Sequence, residues 1–385
     1  MAVRLLSYEV ADLCLGKPPL RSLSSSATVA DALSALKSSD DNFISVWSCN
    51  HSSTNRNLDC VCVGKVCMVD IICFLCRQDN LSSPSSALNS SVSVLLSKVN
   101  GLVRHVEPSS SLLEAIDLIL DGAHNLVVPI KSNFRRKPLP RSQSSIIPTT
   151  HNHSQEFCWL TQEDVIRFLL SSIGLFSTIP MLSVEALGII SHDHPTVDYH
   201  SPASSAVGPL SRALLDRTSV AVVDDAGVLI GEISPFALAC CDETVAPAVV
   251  TLSAGDLMSY MDCGGPPEEI SRLVEERLRE RGLEGMLEEF VAGTHCGNSS
   301  SSDEELPSPT TVLGRKGRWC NSGRMGRRAE AVVCRPWSSL VAVMIQAIAH
   351  RVNYVWVVEE DCSLVGIVTF ASMLEVFREN LESMI

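Results

Sequence analysis

One pattern recurs four times along this chain of 385 residues, and it limits the fold more than any other feature. Each copy reads as a short amphipathic helix, a β-rich run, a turn, a returning β-run ending near a glycine, and a second helix. In the last copy Leu340, Val343, Met344 and Ala347 share one face of a helix predicted over Ser338–Ala349. Tyr354–Val358 then reads as a buried strand, Leu364–Thr369 as its return, and Phe370–Arg378 as the next helix. The third copy has a helix over Ser204–Asp216, a strand at Val220–Val223, and a return over Val228–Ser234. In the first, Val29, Ala32, Leu33 and Leu36 precede strands Phe43–Trp47 and Val61–Val66 and a helix from Met68. In the second, Leu112, Ala115, Ile116 and Ile119 precede strands Leu126–Ile130 and Phe157–Thr161 and a helix over Gln162–Leu170.

Spacing places all four in one register. Helix start to glycine runs from 204 to 231 in copy three and from 338 to 366 in copy four. Copy one runs from 28 to 64, and its excess matches the polar turn Asn50–Leu58. Copy two runs from 111 to Cys158, which replaces the glycine, and its excess matches the basic Ser/Pro-rich tract 131–156. Both insertions fall in the same strand-to-strand turn. A single copy is too small to bury both faces of its sheet and helices, so the copies must pair.

Charge narrows the function classes. The chain carries 30 basic and 44 acidic residues, and eleven of the basic ones lie in 131–141 and 315–328. The remainder has 19 basic against 44 acidic side chains, a body that repels phosphate backbones. Glu9 and Asp12 interrupt the N-terminal apolar run, and no later run approaches the roughly 20 apolar residues that span a bilayer. Fifteen cysteines without a secretory segment predict free thiols in a reducing compartment, hence a soluble cytoplasmic protein, with the nucleus also compatible.

The helix–strand–turn–strand–helix unit ending in Gly-apolar-apolar-Thr-x-x-Asp resembles the CBS motif, named after cystathionine β-synthase. Trp159-Leu160-Thr161-Gln162-Glu163-Asp164-Val165-Ile166 and Gly366-Ile367-Val368-Thr369 carry the resemblance. The segment His350–Val357 is similar to the strand-two region of SNF1/AMP-activated kinase γ subunits. As a whole the chain resembles plant proteins built only of CBS motifs. That implies an α/β (α+β) fold of four CBS motifs pairing into two Bateman modules, with long inserted loops. The expected divisions are 1–80 (motif 1), 98–172 (motif 2, insertion 131–156), 190–242 (motif 3), 243–325 (a helix plus a Ser/acidic and basic tether) and 326–385 (motif 4).

The resemblance also implies a site. In such proteins adenine nucleotides lie between paired motifs, with Thr or Ser and a helix N-terminus on phosphate or ribose, Asp on the ribose hydroxyls, and a His-Arg pair at strand two on phosphate. Copy two keeps Thr161 and Asp164 and has His124 before Asn125. Copy one keeps Asp70, with Cys67 for Thr and Asp41-Asn42 at the basic positions. Copy three has Ser234, Ala237 and Thr218-Ser219 there. Copy four has Thr369, Ser372 and Asn353-Tyr354. The candidate ligand-binding residues are therefore Thr161, Asp164, His124, Asp70 and Thr369. Thr161-Gln162-Glu163-Asp164 also reads as a helix-capping sequence, and Asp70 as a helix-start acid, so both readings stay open.

Cys60, Cys62, Cys73 and Cys76 have a zinc-like count, but strand and helix core positions explain them without a metal. His151, His153, His192 and His194 lie in polar loops, and no metal site is expected. No nucleophile elbow, phosphate loop or zinc-protease motif appears, so no catalytic residue and no bound cofactor is expected beyond an adenosine nucleotide ligand. The sequence predicts a non-catalytic regulatory or adaptor protein that binds AMP, ADP or ATP at a degenerate site and modulates protein partners. The alternative is a γ-like subunit of an SNF1-related kinase. Expected partners are a kinase or other regulated enzyme and a second copy of the chain; nucleic acid and membrane are not expected. A helix is predicted over Glu268–Phe290, and kinase-site patterns surround Ser144 and Ser299–Ser302.

Overall fold

The structure, a computed structural model, describes residues 7–39, 41–49, 60–99, 101–130, 156–176, 178–241, 243–262, 267–295 and 330–383. Ser144, Ser299–Ser302, the turn Asn50–Leu58, nearly all of the 131–156 tract and the basic tether lie outside the described residues. Four three-stranded sheets form, one per copy. They are β1 (Ser22–Ser24), β2 (Phe43–Cys49) and β3 (Cys60–Cys67); β4 (Val103–His105), β5 (Asn125–Ile130) and β6 (Glu156–Thr161); β7 (Thr196–Asp198), β8 (Val220–Val223) and β9 (Leu229–Ile233); and β10 (Val333–Cys334), β11 (Tyr354–Val358) and β12 (Leu364–Thr369). In each sheet the first strand runs parallel to the second, across an intervening helix, and the second is antiparallel to the third.

Strand alternation decides which motif packs on which. Successive side chains of a strand point to opposite faces. In β11, Val355 and Val357 enter the helix-side core while Tyr354 and Trp356 meet Ala221 of the third sheet. In β5, Leu126 and Val128 face helices while Val127 meets Trp47 and Cys62 of the first sheet. Sheets one and two therefore pair face to face, as do three and four. On the helix side one core joins motifs 1 and 3, and another joins motifs 2 and 4. Each motif buries one face on one neighbour and the second face on another, so the four close into a ring.

The segment before an odd motif crosses to the even one. Glu9 bridges Ser111, and Ser183 bridges Ser339 in the same way. The short helix Val10–Leu13 thereby packs into the core of motif 2 through Val10 and Cys14.

Three predicted helices shift for local reasons. The last-copy helix spans Leu340–His350, because Ser339 is its N-cap. The third-copy helix opens as a 3-10 turn over Ala203–Ala206 and becomes α-helical at Val207–Asp216, with Pro209 in the first turn, where no N–H is required. The predicted helix over 268–290 is two helices, Glu268–Glu280 and Glu284–His295. Gly282 breaks it with φ +65°, while Gly282 and Leu283 donate back to Arg279 and Leu278 in a Schellman cap. Val274, Leu278, Met286 and Phe290 fill the core shared by motifs 1 and 3. Arg277 and Arg281 cap the carbonyls of Thr251 and Val250.

Candidate functional site

Thr161 is the N-cap of the helix Gln162–Ser171. Its hydroxyl accepts from the Asp164 amide, and Asp164 Oδ2 accepts from the Thr161 amide at 2.7 Å and its hydroxyl at 2.7 Å. The same oxygen meets Lys17 Nζ at 2.5 Å, and Lys17 also donates to the Trp159 carbonyl. Capping is thus a structural fact for this pair. Among the described residues Asp164 Oδ1 has no hydrogen-bond partner, whereas Oδ2 is engaged three times.

Asp70 occupies the matching place on the helix Met68–Leu75, where Oδ2 accepts from the Cys67 amide at 2.7 Å and burial raises its pKa. Thr369 caps the helix Phe370–Ser383 with Ser372 in place of the acid. No hydrogen bond or ion pair among the described residues links Thr369 to the other candidates.

Registering the sheets corrects one alignment. Asn125, Tyr354 and Phe43 pair with Thr161, Thr369 and Cys67, the residues at the capping position. In copy one the residues matching His124-Asn125 are therefore Asn42-Phe43, not Asp41-Asn42. A polar turn of unknown length hid that single step.

A second set of residues surrounds His124, and the sequence pattern did not single it out. Arg217 follows the helix Val207–Asp216 with left-handed backbone, φ +56°, and donates through Nη2 to Asn125 Oδ1 at 3.0 Å. Its Nε is buried without a partner. Lys65 of β3 lies in the field of Arg217 and Asp70, its ammonium 4.5 Å from the centre of the Phe43 ring. Burial, then repulsion from Arg217, brings the Lys65 pKa down to about 7. Burial, then Arg217 and Lys65, lowers His124 to about 3, and burial lowers Arg217 to about 10. Three basic groups from motifs 1, 2 and 3 thus converge where the ring closes, and the charge of Asp164 acts on Arg217. Burial is the first cause of all three shifts, and Asp70 opposes that of Lys65 as Asp164 opposes that of Arg217.

Lys65 sits two residues before the capping position, and its equivalents are Trp159, Glu232 and Ile367. Each faces the sister sheet, opposite Ser45, Val127, Ala221 and Trp356. Glu232 is buried; Oε1 accepts from the Tyr354 hydroxyl at 2.8 Å and Oε2 from Trp356 Nε1 at 2.6 Å. Burial pushes its pKa up to about 7 against those two hydrogen bonds. Tyr354, at the place of the second basic residue of the nucleotide-binding pattern, is thereby spent on holding Glu232.

The four cysteines with zinc-like count do not converge. Cys62 faces sheet two, its amide donating to His105 Nε2 at 3.1 Å, while Cys73 and Cys76 pack on the helix side. Among the described residues no group of three or more His, Cys, Asp or Glu side chains is placed to hold a metal. No described helix is long and apolar enough to cross a membrane. A cavity of about 270 Å³ lined by Glu185, Ile190, His192, Glu359 and Val365 shares no residue with the candidate site.

The sequence is 54% identical to the CBS domain-containing protein CBSX5 of Arabidopsis thaliana over 394 aligned positions, covering all of both chains. It is 23% identical to the SNF1-related protein kinase regulatory subunit gamma-like PV42b of the same plant, covering 99% of this chain and 97% of that one. Among solved structures it is similar to a Methanocaldococcus jannaschii protein proposed as an archaeal homolog of g-AMPK, with a TM-score of 0.53 and 14% identity, over 96% of this chain and all of the other. At that identity the likeness concerns the fold alone. No family model matches the chain.

Proposed function

The chain belongs to the CBS-domain-containing proteins, and from that premise we propose that it is a non-catalytic regulator that binds an adenosine nucleotide in the module of motifs 1 and 2 and modulates a protein partner. The observation that carries this reading is the convergence of Lys65, His124 and Arg217, with the Arg217 Nε buried and unpaired. A phosphate among them would offset the repulsion that adds to burial in lowering Lys65 and His124, and would supply the acceptor that Nε lacks. Thr161 and the Oδ1 of Asp164 stand at the helix N-terminus for the ribose. The module of motifs 3 and 4 carries the structural load instead, because Glu232, Tyr354 and Trp356 satisfy one another there.

The test is thermal unfolding of the full chain with millimolar AMP, ADP or ATP, alongside Arg217→Ala and a Thr161→Ala/Asp164→Ala double variant. A ligand at 100 times its Kd stabilises by about 2.7 kcal/mol, which such a scan resolves. The expected result is a shift in the wild type that both variants lose. No shift with any nucleotide, or an equal shift in Arg217→Ala, overturns the site.

A second reading, a γ-like subunit of an SNF1-related kinase, is supported by the near-complete alignment to a gamma-like relative. It predicts that tagged protein recovered from plant extract carries kinase α and β subunits. Recovery without them counts against it.

A further inference from the structure

The glycine three residues before the capping position is present as Gly64, Gly231 and Gly366 and is replaced only by Cys158. Its usual role is steric. A Cβ at Gly366 would lie 2.5 Å from the Ser191 carbonyl oxygen, and one at Gly64 2.8 Å from Leu96 Cδ2. In motif 4 the segment crossing over the glycine is the one that precedes motif 3; in motif 2 its counterpart precedes motif 1 and carries Cys14. The two thiols, 144 positions apart, interact there, both buried in the core of motif 2. The backbone holds them together. Val10 and Ala11 donate to the carbonyls of Ser110 and Pro108, and Lys17 reaches Trp159, next to Cys158.

We propose that Cys14 and Cys158 are a redox-active pair that closes into an intramolecular disulfide. The oxidant is a low-molecular-weight disulfide, RSSR. The Cys158 thiolate attacks one of its sulfurs, the S–S bond breaks, and one RS⁻ leaves with the proton Cys158 gave up. The Cys14 thiolate then attacks Cys158 Sγ in the mixed disulfide, and a second RS⁻ leaves and is protonated. Two protein thiols lose two electrons and two protons, and RSSR becomes two RSH. Cys158 is the better first nucleophile: the neighbouring Cys14 and the charge of Lys17 favour its thiolate, against its burial. Burial makes exchange depend on opening of the one-turn helix Val10–Leu13, so the reaction is slow and the product resists reduction. Once closed, the bond fixes the N-terminal segment and keeps Lys17 on Asp164, so oxidation holds the Oδ2 side of the candidate site shut.

The experiment equilibrates the full chain with graded reduced and oxidised glutathione, quenches in acid, alkylates the unfolded protein and maps it by tryptic mass spectrometry without reduction. Residues 5–21 and 142–167 leave as single peptides with one cysteine each, so their joined product identifies the bond. The expected result is that pair, two hydrogens lighter than the sum of its parts, released by dithiothreitol. Oxidised protein should also unfold several degrees higher, and Cys158→Gly, which restores the residue of the other three motifs, should abolish both effects. Recovery of the two peptides alkylated and separate at the most oxidising poise overturns the proposal. So does either cysteine joined mainly to a different one.

Discussion

Lys65 and Trp159 face the sister sheets in the first module where Glu232 and Ile367 do so in the second. Each module thus sets one charge and one apolar side chain at equivalent places, with Glu232 and Ile367 buried and Lys65 and Trp159 half-buried. Glu232 has a donor for each of its oxygens. Among the described residues Lys65 has the face of Phe43 and the field of Asp70 but no hydrogen-bond acceptor. A buried charge that is fully hydrogen-bonded closes its module, whereas one without an acceptor leaves a place for a counter-ion. On the proposed reading, the difference separates a structural module from a receptive one on the same fold.

Trp356→Ala should have the largest effect, because it opens a cavity between sheets three and four and removes a donor from Glu232. Truncating a fully buried Trp costs about 3–5 kcal/mol, measurable by urea unfolding. If the second module is the structural one, nucleotide-induced stabilisation should survive in whatever fraction folds. Loss of less than about 1 kcal/mol would break the comparison.

The modules should also respond to pH with opposite signs. Glu232 is raised to about 7 in the fold, so between its ordinary 4.5 and 7 the folded state holds the extra proton. Stability from this group therefore falls as pH rises through that window, by an amount on the order of 3 kcal/mol. His124 and Lys65 are lowered, to about 3 and about 7, so the unfolded chain holds the extra proton from 3 to 6.5 and from 7 to 10.5. Their contributions rise with pH in those windows. Glu232→Gln should remove the falling limb and steepen the rise below pH 6.5. An unchanged profile in that variant would mean that Glu232 is not the titrating group.

Smaller still is the cap. Thr161→Ala/Asp164→Ala should lose about 1–2 kcal/mol, as a lost N-cap does, and Thr369→Ala about 1 kcal/mol. The comparison sharpens on ligand response, which only the first variant should lose. Equal ligand response in the two would reduce Thr161 to a cap.

The repeat made the strands and helices of each copy legible, because apolar residues at helical spacing followed by paired β-runs leave little else to form. Lys65 and Glu232 lie within two of those strands, but alternation did not mark them. Nor could it reveal what they meet. Tyr354 and Trp356 reach Glu232 only through sheet pairing, and Arg217 reaches Asn125 only because the ring closes on itself. Lys17 and Cys14 were equally hidden, since their segment crosses to motif 2 although motif 1 follows them in sequence. Thr161 and Asp164 were visible because capping is local. The charges of the site come from tertiary closure, and no spacing encodes them.

The finest test concerns Lys65 itself. If its ammonium is buried without an acceptor, replacing it by an apolar chain of similar length should relieve the fold. Lys65→Met is expected to raise stability by up to about 1 kcal/mol without nucleotide, since an apolar isostere of a poorly paired buried charge is neutral to stabilising. It should at the same time remove much of the stabilisation that ATP gives the wild type. Removing the lysine also removes one of the charges that lower His124, so its imidazole should titrate at higher pH, which NMR of the ring protons reads directly. The three readouts move together only if Lys65 is an unneutralised member of the cluster. A destabilised Lys65→Met with an unmoved His124 would place the lysine in a satisfied structural contact, and the contrast with Glu232 would dissolve.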